Sequence, residues 1–163
     1  MTRPLRVGIA GLGTVGASVI RILDRQNEAI AQRGGKPVQV TAISARDRSK
    51  DRGFDLARFT WFDNPVDLAG ADDVDCVVEL VGGADGAALE TVRTALSRGK
   101  HVVTANKALL AKHGLALARL AESKGVTIAF EASVAGGIPI IKTLREALPA
   151  NRVSRLYGIL NGT

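Results

Sequence analysis

The sequence predicts an α/β fold: a doubly wound parallel sheet with helices on both faces. Three observations predict it. Apolar runs of strand length alternate with stretches of helical periodicity. The 163 residues are 46% hydrophobic but only 4% aromatic. A core of Val, Ile, Leu and Ala suits a sheet buried on both faces. Finally, the first apolar run, Leu5 to Ala10, leads straight into Gly11, Gly13 and Gly16, with a helical pattern directly behind them.

That strand–turn–helix order gives G-x-G-x-x-G its weight as a phosphate-binding turn. Gly11 permits the tight turn, Gly13 lets backbone approach a pyrophosphate, and Gly16 lets helix pack on strand. Thr14 and Val15 lie inside the same turn. The helix N-terminus behind it favours anions. A glycine-rich turn without ligand is the bland alternative. The context favours nucleotide binding and a Rossmann-type sheet.

Composition excludes several classes. One cysteine, Cys76, lies in an apolar run, so no disulfide forms within the chain. No apolar stretch reaches membrane-helix length and no signal peptide opens the chain, which implies a cytoplasmic protein away from membranes. The net charge of +6 raises nucleic-acid binding. The basic residues are dispersed, however, and aromatics for stacking bases are few. A solvated surface plus an anionic-cofactor site explains the charge more simply.

The elements follow in order. A helix spans about Thr14 to Gln32, with Val15, Val19, Ile22, Leu23 and Ile30 on its inner face. A strand spans about Val38 to Ser44. The residue just past such a strand meets the adenosine ribose in dinucleotide sites. Here the loop reads Ser44-Ala45-Arg46-Asp47-Arg48. Arg46 suits a 2′-phosphate, with Arg48 or Lys50 assisting, and this favours NADP. Asp47, if turned inward, would admit NAD. Asp51 to Ala71 reads as one or two short helices on the sheet edge, with Trp61 in the core. Val74 to Val81 is a central strand ending at Gly82-Gly83, on the carboxyl edge where ligands bind. Glu79 within it is either a buried, paired acid or a loop residue. A helix over about Gly86 to Arg98 and a strand at His101-Val102-Val103 follow, with His101 structural.

Thr104-Ala105-Asn106-Lys107 again joins a strand to a helix. Asn106 is the expected N-cap. Lys107 falls in the first turn, where the helix field modestly favours proton loss. Facing a cleft, it would orient a carbonyl or transfer a proton; otherwise it is a surface lysine. The helix runs to about Lys124, with Leu110, Leu117, Leu120 and Ala121 buried and His113 exposed. A strand spans Val126 to Phe130. The loop Glu131 to Pro139 carries two glycines, and converging carbonyls there would suit a hard cation; the alternative is only a tight strand-to-helix turn. Ile138, Ile141, Leu144 and Leu148 predict an amphipathic helix, and Val153 to Leu160 a further strand. The expected division is a dinucleotide-binding domain over 1–150 and the first strand of a second domain over 151–163.

Several separated stretches together resemble the N-terminal part of homoserine dehydrogenase. They are Gly8 to Gly16, Val78-Glu79-Leu80-Val81-Gly82-Gly83, Val103-Thr104-Ala105-Asn106-Lys107, Phe130 to Ile141, and Gly158-Ile159-Leu160-Asn161-Gly162-Thr163. The first is common to many dehydrogenases; the later ones in this order are more specific. The resemblance implies reversible NAD(P)H-dependent reduction of aspartate 4-semialdehyde to homoserine, on the route to threonine, methionine and isoleucine. It implies that Gly11, Gly13, Thr14, Val15 and Gly16 hold the pyrophosphate, with Gly82 also at the cofactor. Arg46 would meet the 2′-phosphate, Thr104 would lie near the nicotinamide ribose, and Lys107 would serve as one of two reaction-centre lysines. The backbone at Glu131, Val134, Gly136 and Ile138 would match a sodium site. Family members continue into a substrate-binding and dimerising domain, so the full-length form is expected to be a homodimer. This chain is expected to bind coenzyme with little or no turnover. Alternatives are another two-domain amino-acid or semialdehyde dehydrogenase, or a non-catalytic nucleotide-sensing domain.

Overall fold

The computed structural model describes residues 3–158. Six parallel strands form one sheet in the order β3-β2-β1-β4-β5-β6. They are β1 (Leu5–Ala10), β2 (Val38–Ser44), β3 (Thr60–Phe62), β4 (Cys76–Glu79), β5 (His101–Thr104) and β6 (Ile128–Ala129). The connecting helices are α1 (Thr14–Gly34), α2 (Pro65–Gly70), α3 (Ala87–Ser97) and α4 (Lys107–Lys124). The core divides into two clusters, one around Ile9, Ile20 and Ile43 and one around Leu68, Val77, Val92, Val102, Leu109 and Leu117. These residues are the Val/Ile/Leu/Ala set that the composition requires.

The expected doubly wound sheet is therefore present, with informative departures. The inner face of α1 is Gly16, Ala17 and Ile20, while Val15 is 57% and Ile22 51% exposed. Gly16 fixes that phase. A Cβ there would overlap the Gly11 carbonyl oxygen, so the helix must lie with Gly16 against the turn. The Val15 and Ile22 stripe is turned outward as a result. The stretch read as edge helices contains the unexpected strand β3, paired with β2 through Ala42–Thr60, Ile43–Trp61 and Ser44–Phe62. A three-residue strand carries too little alternation to be seen as a pattern. A 3₁₀ turn, Leu56–Arg58, precedes it.

The central strand is shorter than its apolar run, and Asp75 explains one end. Asp75 lies before β4 and accepts from the Arg6 main-chain N–H, Nε and Nη2 at 3.0, 3.0 and 2.7 Å. The Arg6 guanidinium holds its carboxyl down, at about 2. Cys76 beside it is buried, and desolvation pushes its thiol up to about 11, which leaves it inert. β6 is likewise only Ile128–Ala129.

The C-terminal expectations fare differently. In place of an amphipathic helix there is one helical turn, α5 (Ile140–Lys142), running into a π-type turn, Thr143–Ala147. Ile138 is 63% exposed and no residue of these two turns is buried. The strand expected from Val153 to Leu160 does not form over 153–158 among the described residues, and residues 159–163 lie outside them. No described helix is long and apolar enough to cross a membrane.

Candidate functional site

Because every strand is parallel, every strand exit lies on one rim of the sheet. Chain order reverses between β1 and β4, which opens a crevice above their carboxyl ends. Main-chain bonds knit this rim: Gly11 N–H donates to Ser44 O, and Leu80 N–H donates to Ala10 O, both at 2.8 Å. Gly11 has φ +105°, and a Cβ on it would lie 2.6 Å from the Leu80 carbonyl oxygen. Gly13 differs. A Cβ there would meet nothing within 4 Å, so no protein neighbour requires a glycine at that position. Open space over a bare backbone at a helix start is what a phosphate needs.

A cleft of about 530 Å³ opens over this crevice. Gly11, Gly13 and Arg46 line it, together with Asp47, Lys50, Arg52, Asp63 and Val81. Thr14, Val15, Gly16, Gly82, Thr104 and Lys107 share the rim but do not line the cleft. Gly16 is buried under the turn, and Thr14 and Val15 are exposed. A larger groove, about 860 Å³, lies between α1 and β2 against Leu23, Asn27, Pro37 and Val40. None of the candidate coenzyme, catalytic or metal residues named from the sequence borders it.

In the loop after β2, one oxygen of the Asp47 carboxylate is engaged. Its Oδ1 accepts from Ser49 N–H at 2.8 Å and Ser49 Oγ at 2.7 Å, and these bonds hold its pKa down. Arg48 leans over the Trp61 ring, 5.6 Å from its centroid, and does not line the cleft. Trp61 is half-buried against the core, and its Nε1 donates to Asp63 Oδ1 at 2.8 Å. Arg46 and Lys50 are left as the exposed cations that line this end. Arg52, which the sequence did not single out, is buried behind them.

At the β4–β5 end, the open question about Glu79 is resolved. The side chain is fully buried. Oε1 accepts from Val81 N–H at 2.8 Å and Gly82 N–H at 3.3 Å, and Oε2 accepts from Thr104 Oγ at 2.6 Å. Thr104 Oγ in turn accepts from Asn106 N–H at 3.0 Å. Asn106 caps α4, with Oδ1 accepting from Leu109 N–H at 3.1 Å, and its Nδ2 donates to Gly83 O at 2.6 Å. Ser133 Oγ donates to Thr104 O at 2.7 Å. One carboxylate thus ties together the exits of β4 and β5, and Ser133 joins the exit of β6 to them. Lys107 follows the cap as the first residue of α4 and is exposed. Among the described residues it has no ion-pair partner.

The two histidines keep to structural roles. His101 Nδ1 accepts from Thr127 N–H at 3.2 Å. His113 is not free on the surface as expected: Nε2 lies 2.8 Å from Asp85 Oδ1, beside Lys112 Nζ at 2.6 Å from Oδ2.

A six-stranded parallel sheet in this order, with a G-x-G-x-x-G turn at its switch point, defines a dinucleotide-binding domain of the Rossmann class. Comparison with known proteins narrows the class. A family model described as "Homoserine dehydrogenase, NAD binding domain" matches residues 11–131, and the chain belongs to the homoserine dehydrogenase family. It is 48% identical over 161 residues to the homoserine dehydrogenase of Pseudomonas aeruginosa, covering 99% of this chain and 36% of that protein. Identity to the Neisseria gonorrhoeae homoserine dehydrogenase is 45%, covering 99% of this chain and 37% of that protein. The crystal structure of a homoserine dehydrogenase from Thiobacillus denitrificans superposes with a TM-score of 0.83 at 45% identity, over 92% of this chain and 34% of that one. The chain therefore spans little more than a third of the length of these relatives.

Proposed function

We propose that this chain is the coenzyme-binding part of an NADP(H)-preferring homoserine dehydrogenase, which interconverts L-homoserine and L-aspartate 4-semialdehyde. The single observation that carries the reading is the rim itself, where the glycine turn, Arg46 and Lys50 face one cleft. Gly11 and Gly13, with the N–H groups opening α1, receive the pyrophosphate, helped by Thr14 and Val15 in the same turn; Gly16 seats the helix beneath it. Arg46 meets the adenosine 2′-phosphate with Lys50 beside it. Ser49 engages Oδ1 of the Asp47 carboxylate, which competes with a ribose hydroxyl for that oxygen and supports NADP over NAD. Gly82 and Thr104, further along the same rim, lie towards the nicotinamide in this reading.

The bound nicotinamide supplies or accepts the hydride. Lys107 serves as the catalytic residue of this chain, orienting the substrate oxygen or moving its proton. The backbone at Glu131, Val134, Gly136 and Ile138 is proposed as a sodium site. Carbonyls and a carboxylate are the donors a hard cation takes. Among the described residues, the carbonyls of Glu131, Val134 and Gly136 accept no turn or loop main-chain hydrogen bond, whereas that of Ile138 accepts from Ile140. Cytoplasmic residence and a homodimeric full-length form belong to the same proposal, supported by the family and by the absence of a membrane-crossing helix among the described residues.

Titration with NADPH and NADH, followed by energy transfer from Trp61, tests the reading. NADPH is expected to bind more tightly. Arg46→Ala should weaken NADPH by about tenfold and NADH by less than about threefold, the loss of one charge-assisted contact. Equal losses would remove the NADP preference. In a full-length form, Lys107→Ala should lower kcat by about 10²- to 10⁴-fold. Unchanged turnover there would favour a nucleotide-sensing domain. Homoserine oxidation by the 163-residue chain alone would overturn the view that this part binds coenzyme without turning over substrate.

A further inference from the structure

Arg52 is a cleft residue that the proposed function leaves unused. It is 7% exposed and lines the cleft. Its guanidinium donates three hydrogen bonds, all to main-chain carbonyls: Nε to Leu12 O at 3.2 Å, Nη1 to Lys50 O at 2.7 Å and Nη2 to Asp47 O at 2.6 Å. No carboxylate lies within ion-pair distance of it among the described residues. A buried cation is costly unless it is well bonded. Replacing such a group by an apolar side chain of similar size often costs nothing, so packing alone does not account for it.

What a guanidinium adds is a rigid planar fork. Its three acceptors belong to two loops. Leu12 sits inside the glycine turn, between Gly11 and Gly13. Asp47 and Lys50 bracket the loop whose other bond is the Asp47–Ser49 turn. Arg52 is itself held from below, since its own carbonyl accepts from Arg21 Nη2, on α1, at 2.6 Å. The fork therefore sets the separation between the glycine turn and the segment carrying Arg46 and Lys50. The side chains of that segment are otherwise exposed.

We propose that Arg52 is a positioning residue for coenzyme selectivity: it clamps the 46–50 loop to the glycine turn, so that Arg46 and Lys50 are pre-set for a phosphate on the adenosine ribose. The inference rests on the reading that Arg46 meets that phosphate. Freed from the fork, the loop must be ordered at the moment of binding. Only a ligand that engages the loop bears that cost. The pyrophosphate, bound by the glycine turn, does not.

The test titrates the parent chain, Arg52→Lys and Arg52→Met with NADPH and with NADH. Ordering one or two long side chains and their loop converts to about tenfold in affinity. Both variants should lose about that factor for NADPH and less than about threefold for NADH. Amides of residues 46–51 should exchange faster in both variants than in the parent. Equal losses for the two coenzymes would make Arg52 merely structural, and a retained parental ratio would also overturn the proposal. Should Arg52→Met fail to fold, Arg52→Lys with a parental melting curve decides, because it keeps the charge and loses the fork. Failure of the underlying reading looks different. There the parent itself shows no NADPH preference, or Arg46→Ala leaves the parental ratio untouched, and the positioning role falls with it.

Discussion

The two ends of the cleft are ordered by opposite charges. Towards β2, a buried cation, Arg52, gathers three carbonyl oxygens from two loops. Towards β5, a buried anion, Glu79, gathers two N–H groups and one hydroxyl from two others. Each stands where strand exits must be tied to one another, and each does it with a multidentate charged group. The difference is in what remains exposed. At the Arg52 end, two further cations, Arg46 and Lys50, line the cleft, which suits a phosphate. At the Glu79 end the carboxylate is fully buried and bonded to its neighbours, and Lys107, the first residue of α4, is exposed. In the proposed reading, the two ends of one coenzyme meet these two different settings.

The widest break in this comparison should come from the glycine turn, which serves both ends. Gly16→Ala forces a Cβ onto the Gly11 carbonyl oxygen, and backbone cannot yield cheaply. A stability loss of about 1–3 kcal/mol is expected, with coenzyme affinity lost throughout. Gly13→Ala is the informative partner. Its Cβ meets nothing, so stability should fall by under about 1 kcal/mol while coenzyme binding still collapses. Thermal melts beside titrations separate the two, and a Gly13→Ala chain with parental affinity would refute the pyrophosphate assignment.

Glu79→Gln should act at one end only. An amide cannot accept at both positions, so Thr104 Oγ or the Val81 N–H loses its acceptor. That should cost about 1.5–3 kcal/mol of stability, the worth of hydrogen bonds to a charged group. NADPH should weaken, whereas 2′,5′-ADP, which lacks the nicotinamide half, should bind as before. A parallel loss for both ligands would erase the distinction between the ends.

The smallest effect lies on the opposite edge of the sheet. Asp75, whose pKa falls from 3.8 to about 2 beside Arg6, stabilises the fold above about pH 4. That contribution should fade as pH drops towards 2, since the folded state resists protonation. For a half-exposed pair, solvent screening limits it to about 1 kcal/mol. Asp75→Asn should lose the same amount at pH 7 with no change in coenzyme affinity, and a shifted affinity would couple the two edges.

Legibility in the sequence followed periodicity and glycine spacing. β1, α1 and the turn between them were readable because three glycines and an apolar strand occur in a fixed order. The Asn106 cap was readable because its residue type is specific to that role. The phase of α1 was not, since Val15 and Ile22 mimic an inner stripe and only the Gly16 contact sets the rotation. β3 was hidden by its three residues. Arg52 was illegible as a clamp because its partners are main-chain groups, 40 residues away for Leu12, and main chain carries no letter in a sequence; Glu79 stayed an open choice because two of its partners are main-chain N–H groups and the third, Thr104 Oγ, lies 25 residues on. The Ile138–Leu148 periodicity was real, yet packing rather than pattern decides helix length, and Ile138 is 63% exposed.

Cys76 gives the molecule a built-in clock. It is the chain's single thiol, the first residue of β4, which is one of the two central strands of the sheet, and it is buried there. The thiol is 6% exposed at the first residue of β4, so labelling should require that end of the strand to open, and its rate reads that opening. A ligand seated over β1 and β4 should slow that clock, and one seated elsewhere should slow it only if it resists the same opening.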